Sequence, residues 1–469
     1  MSTRYLPYSP EQPHLLPSCP QDWMPEDHLA YQIRDIVQAL DLSAMHRWHM
    51  KDARGALPLD PVMVVSILLY AWCSDVYSSR NTAKLCISDL GGRYLSAGHR
   101  PDFRTINTFR LRHGEALADL FVQSVHLCQA AGMVSLGHVA IDGTKLMANA
   151  SKHKAMSYGR MVAAEETLRA EIDRIQRRCA EEDAKEDTLF GKEKPGYDLP
   201  KELKFRESRL AYILAAKSRL EAEARAAAEA RAAEREHRQP AKNDNEPDKP
   251  SRGRKPKDPK TALPKDTAQS NFTDPESRIM KSGTGEWIQG YNGQAAVDSD
   301  HQVIVACELT DMAADAPHFG PMIRQVIKNT GAEPIQASSD AGYFSKHNVE
   351  NTVSSFSEVF IPPDRMTHGR ESAIALAALA ERQGDNSDLS IADRMRKRLS
   401  TTEGREAYAK RKKTVEPVFG QIKGCPGSPG FRHVLRRGIQ KARQEWRWQC
   451  ATHNFLKYMR LQLAATCAK

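Results

Sequence analysis

The chain has 469 residues, 40% hydrophobic and 27% charged, with a net charge of +9 and a mean hydropathy of −0.58. That length allows two or three domains and is ample to bury a core. The basic excess favours a polyanionic partner, nucleic acid or anionic membrane, and the absence of a basic amphipathic anchor at either terminus disfavours the membrane. The most apolar stretch, PVMVVSILLYAWC at 61–73, is too short to span a bilayer and reads as a buried helix. The opening segment lacks a basic start followed by an apolar run, so it does not read as a signal peptide. Nine cysteines, an odd number with no C-x-x-C pair, argue against a zinc ribbon or disulfide framework and fit a reducing cytosol.

Residues 1–130 read as a helical N-terminal domain. Val62, Val65, Ile67, Leu68 and Leu69 recur at helical steps. A second helix is expected after Asp102, its N-cap, turning Ile106 and Phe109 inward. Arg104, Asn107, Thr108, Arg110 and Arg112 fall on or near its polar faces, a set that suits a DNA groove as well as a solvated surface. Residues 134–147 predict a strand that is apolar as far as Ile141 and then carries Asp142-Gly143-Thr144.

A polar interruption follows over 151–270. Met161, Ala164, Leu168, Ile172 and Ile175, then Leu203, Leu210, Ile213 and Leu220, predict a helical hairpin broken at 191–200. Residues 239–268 read as a basic linker without a packed core. Its Arg252-Gly253-Arg254 suits a narrow minor groove, or a plain basic linker.

From 286 the order turns to β/α: strands at 287–297 and 302–310, a helix at 315–329, a strand at 334–339 ending at Asp340, a helix near 345–354, and a strand at 358–362. Residues 365–400 give no clear pattern. The C-terminal part is helical and basic, with eleven Lys/Arg against two Glu over 405–443. Strand, insertion, strand, strand, helix, strand, helix, strand, helix is the element order of an RNase H-like α/β fold. Its first and fourth strands are neighbours, so Asp142 and Asp340 are expected to converge.

Phosphodiester chemistry must activate an attacking oxygen and stabilise a leaving one, and two divalent ions held by a few carboxylates can do both. Glu416 is the third candidate. It lies on a helical stripe with Val415, Val418, Phe419 and Ile422; Lys423 is seven residues on and Lys412 four before it, all near one face. Pro417 is expected to start or kink that helix.

These pieces resemble a known family. Pro101–Ile106 with Phe109-Arg110, His138–Lys145, Ala148–Ser151, Asn271–Arg278, Gly290–Gln294, Asp340–Tyr343 and Val415–Gly420 together look like insertion-sequence DDE transposases of the branch with a Tyr–Arg–Glu–Lys signature, over about 58–460. The resemblance implies that Asp142, Asp340 and Glu416 form the catalytic and metal-binding triad, with two Mg²⁺ or Mn²⁺ ions. It implies terminal inverted repeats and target DNA as partners, a homodimer in the synaptic complex, and a bacterial, nucleoid-associated location. The helical N-terminal domain would help bind the element ends, with a catalytic core split between 134–150 and 271–460. Tyr408, Glu416 and Lys423 match the signature. Its Arg falls to Arg411 by distance from Tyr408 and to Lys412 by distance from Glu416. A nuclease that cuts without joining and an inactive transposase-derived DNA-binding protein are the alternatives.

Overall fold

A computed structural model describes residues 20–49, 58–190, 201–238, 258–350, 358–364, 389–424 and 430–467. Among the described residues seven α-helices come first: α1 (Leu29–Ala39), α2 (Ser43–His49), α3 (Pro61–Cys73), α4 (Ser79–Ser88), α5 (Leu90–Leu95), α6 (Phe103–Arg112) and α7 (Gly114–Ala130). At the start of α3, Asp60 accepts from the Val62 amide at 2.7 Å and Pro61 fills a position that needs no donor. Every side chain from Val64 to Trp72 is buried. A helix that is apolar all round has to be enclosed, and α1, α4 and α5 pack around it. Asp102 caps α6 as expected, accepting from the Arg104 amide at 2.7 Å.

The first long strand is β1 (His138–Met147). A two-stranded ladder, β2 (Ala155–Ser157) with β3 (Gln269–Asn271), then brackets two long helices, α8 (Tyr158–Phe190) and α9 (Lys201–Arg238). Their contact follows the expected seam, with Met161 and Leu168 buried against Ile213 and Leu220. The break at 191–200 and the linker over 239–257, with Arg252 and Arg254, lie outside the described residues.

Next come β4 (Arg278–Lys281), β5 (Trp287–Asp298), β6 (Ile304–Thr310), α10 (Phe319–Thr330), β7 (Gln336–Ser339), α11 (Lys346–Glu350) and β8 (Glu358–Phe360). With β1 they form a six-stranded mixed sheet. β4 and β6 pair antiparallel with successive stretches of β5; β5 pairs antiparallel with β1; β1, β7 and β8 run parallel. The last three helices are α12 (Ile391–Ser400), α13 (Thr402–Lys423) and α14 (Ile439–Cys467). The short strands β2, β3 and β4 and the helix α12 have no counterpart in the sequence reading.

Two features of β5 fix its neighbours. A Cβ on Gly293 would stand 3.1 Å from the Trp446 ring of α14, and the Trp446 indole donates to the Gln294 carbonyl at 3.1 Å. On the outer strand, the buried Asn454 amide donates to the Ile304 carbonyl at 2.8 Å and accepts from its N–H at 2.9 Å. That side chain occupies an edge that a further strand would otherwise seek.

Candidate active site

Register places the first two candidates. Ile141 and Ser339 are the last parallel pair of β1 and β7, so Asp142 and Asp340 are the next residues on strands roughly 4.8 Å apart. Asp142 lies in the middle of β1, not at its end, because antiparallel β5 goes on pairing with β1 to Met147 after β7 has stopped. Asp340 leaves its strand and accepts from the Gly342 amide at 3.0 Å, capping a turn over Ala341–Tyr343. Burial pushes the Asp142 carboxyl up to about 7; Arg411 opposes that, and Asp340 adds to it. Burial also raises Asp340. Carboxylates whose charge is this poorly repaid by protein attract a cation.

From α13, the Arg411 guanidinium reaches Asp142 at 2.9 Å and Glu416 at 3.1 Å. Arg411 therefore meets Glu416 here, and Lys412 is exposed. A long guanidinium spans the one-residue excess in spacing. Pro417 does not break the helix. Proline leaves the carbonyl four residues earlier without its donor, and the Gln302 amide supplies one to Lys413 at 2.9 Å. The Tyr408 ring, half-buried, lies 5.6 Å from the Arg411 guanidinium carbon. Lys423 donates to the Lys145 carbonyl at 3.1 Å, and burial lowers its pKa. Glu416 itself is half exposed. Among the described residues no three Asp, Glu, His or Cys side chains are gathered at metal-binding distance. The structure thus brings Asp142 beside Asp340 and ties Glu416 to Asp142 through Arg411, without closing a triad.

Sequence reasoning missed Asp315, between β6 and α10. Its Oδ1 accepts from Asn292 at 2.7 Å, Gln294 at 2.9 Å and Lys145 at 3.3 Å. Gly143 pairs with Gln294 and Lys145 with Asn292, so these four residues share one face of the sheet while Asp142 points to the other. Tyr343, fully buried, donates its hydroxyl to Gln294. The alternation of Asn292 and Gln294 in the 290–294 motif was the signal available: two amides on one face need an acceptor. The 271–278 motif is structural. Asp274 accepts from the Tyr291 hydroxyl at 2.8 Å and the Gly438 amide at 3.2 Å, and Glu276 accepts from the Ile439 amide at 2.9 Å, fastening the start of α14.

On α6, Arg104, Asn107, Thr108 and Arg112 are exposed. Arg104 and Arg80 both lie over the Phe103 ring, at 5.4 and 4.7 Å. Arg110 departs from the expectation that it lies on a polar face. It is buried, donating to Glu445 at 3.1 Å and to the Tyr77 carbonyl at 3.1 Å, because α14 packs across this side of the helix.

Two stretches of the chain match family models: residues 18–112 match the transposase domain DUF772, and residues 383–459 match the transposase DDE domain. Both matches are to transposase domains, which supports an insertion-sequence DDE transposase. The first match contains α6 and its exposed arginines, Arg104 and Arg112; the second contains Tyr408, Arg411, Glu416 and Lys423. Asp142, Asp315 and Asp340 lie outside both. No curated protein and no solved structure gives a significant match. Among the described residues no helix is long and apolar enough to cross a membrane.

Proposed function

We propose that this transposase binds the terminal inverted repeats of its element and catalyses divalent-metal-dependent strand cleavage followed by strand transfer, at a site formed by Asp142, Asp340 and Glu416. The observation that carries the reading is the register of β1 and β7, which leaves two half-buried carboxylates side by side. The sheet order β6-β5-β1-β7-β8, with only β5 running against the other strands, supports an RNase H-like core. On this reading 134–150 and 271–460 are its two parts, 151–270 is a helical insertion, and 1–130 engages the element ends.

The donor set is hard oxygen, which fits Mg²⁺ or Mn²⁺. Asp142 and Asp340 would hold the ions, with Glu416 completing one of them. When bound, the ions supply activation of the attacking water or 3′-hydroxyl and stabilisation of the leaving 3′-oxygen. The protein's own groups do the rest. Arg411 neutralises Asp142 and Glu416 in the DNA-free chain and turns to a phosphate when DNA enters. Lys423 and Lys412 flank that path, and Tyr408 backs the guanidinium. Arg104 positions an end from α6 through the backbone, as phosphate contacts do. Two ends must be held together, which calls for two copies of the chain.

The test is strand transfer from a pre-cleaved element end into a supercoiled target, with Mn²⁺. Joined product is expected; cutting of the uncleaved end without any joining would reduce the activity to that of a nuclease.

A further inference from the structure

We propose that α6 is a base-reading helix: its exposed stripe of Asn107, Thr108 and Leu111 enters the major groove of double-stranded DNA and selects A·T pairs there. The inference rests on the end-binding part of the reading above and adds the mode of recognition to it.

The ten residues of α6 divide into two faces. Ile106, Phe109 and Arg110 are buried. Arg104, Asn107, Thr108 and Leu111 fall at i, i+3, i+4 and i+7, which puts them together on the opposite face, and all four are exposed. Leu111, the one leucine of the helix, points outward at 49% exposure. After the arginine, the stripe thus offers an amide, a hydroxyl and an aliphatic side chain. An asparagine amide pairs with N6 and N7 of adenine, and an apolar group packs on the thymine methyl. Both edges are displayed in the major groove, which at about 12 Å wide admits a helix.

Arginines bracket the stripe. At its start Arg104 and Arg80, both exposed, lie over the Phe103 ring, and at its end Arg112 lies over the Trp48 ring at 3.7 Å. A ring beneath a guanidinium holds a long cation in place, here beside a groove-sized helix where phosphates would run. From Leu90 to Arg112 the chain carries five arginines against one acid, Asp102, and that carboxylate caps α6. An ordinary solvated helix face mixes both signs of charge. This one presents no acid of its own to repel a polyanion.

The experiment is selection of duplexes from a random-sequence pool by the full chain in EDTA, followed by affinity measurements on the selected duplex and on a scrambled one. Asn107→Ala is expected to bind the selected duplex roughly tenfold or more weaker than wild type and the scrambled duplex equally well. Substituting 7-deazaadenine for one adenine of the selected duplex, or deoxyuridine for one thymine, should weaken wild type several-fold. Asn107→Ala should no longer respond to the first, nor Leu111→Ala to the second. Equal losses on both duplexes, or responses to both analogues that match wild type, overturn the proposal and leave end binding standing. Unchanged selection together with an altered oligomeric state in these variants would assign the face to a second copy of the chain, which also overturns it. If wild type enriches no sequence from the pool, end binding itself fails.

Discussion

Replacing Arg110 with alanine separates a structural arginine from a DNA-contacting one on the same helix. Arg110 donates to Glu445 at 3.1 Å, to the Tyr77 carbonyl at 3.1 Å and to Ser79 at 3.3 Å, and lies 5.4 Å from the Trp72 ring. Glu445 is 1% exposed and also receives Arg436 at 3.0 Å and the Leu435 amide at 2.8 Å. Breaking a buried ion pair from one side costs about 3–5 kcal/mol. Arg436 stays to neutralise Glu445, so the lower end, about 3 kcal/mol, is expected. Urea unfolding followed by tryptophan fluorescence would show it as a lowered midpoint. Arg104→Ala, at an exposed position, should leave the midpoint unchanged. It should instead weaken binding to an element-end duplex and reduce the slope of log affinity against log salt by about 0.9. The reasoning fails if Arg110→Ala unfolds like wild type yet loses that salt slope.

Gly143→Ala should be costly at a strand position that normally tolerates alanine. Its Cβ would stand 2.6 Å from Gln294 Nε2 and 2.7 Å from Asp315 Oδ1. Overpacking of this kind costs about 1–3 kcal/mol, and displacement of site groups by about 1 Å slows a reaction roughly a hundredfold. Unfolding midpoint and end-nicking rate should both fall; a wild-type nicking rate would show that these groups do not position the site. Burial lowers His138 and His453 to about 4. The unfolded chain then binds more protons between pH 6.5 and 4, so stability should fall with pH across that window, by at most about 3 kcal/mol for each histidine. His453→Gln should flatten the melting temperature against pH there; an unchanged profile would refute the assignment.

The sequence made some of this architecture legible, and the limits have physical causes. Strands β1, β5 and β6 carry apolar runs or alternation, and α8 and α9 carry a helical seam, so local pattern located them. The short strands β2, β3 and β4 are too brief to carry a period. The nearness of Asp142 and Asp340 followed from element order, but the position of Asp142 within β1 depends on the length of β5. Asp315 was missed because the amides of Asn292 and Gln294 call for an acceptor without saying which, and Lys145 joins them only through the pairing of β1 with β5. Arg110 was misread because a helix face that looks polar in isolation is covered by α14, more than 300 residues away in sequence. The competition between Arg411 and Lys412 could not be decided from helical spacing, since it turned on the reach of one side chain and on Gln302 satisfying the carbonyl that Pro417 leaves open.

The proposed role of Asp142 and Asp340 in the chemistry can be checked by single-turnover nicking of a duplex bearing the element end, in Mn²⁺, with Asp142→Ala and Asp340→Ala beside wild type, and with end binding measured on the same samples. Both variants should bind the end about as well as wild type and produce no nick. Nicking at the wild-type rate by either variant would contradict that role.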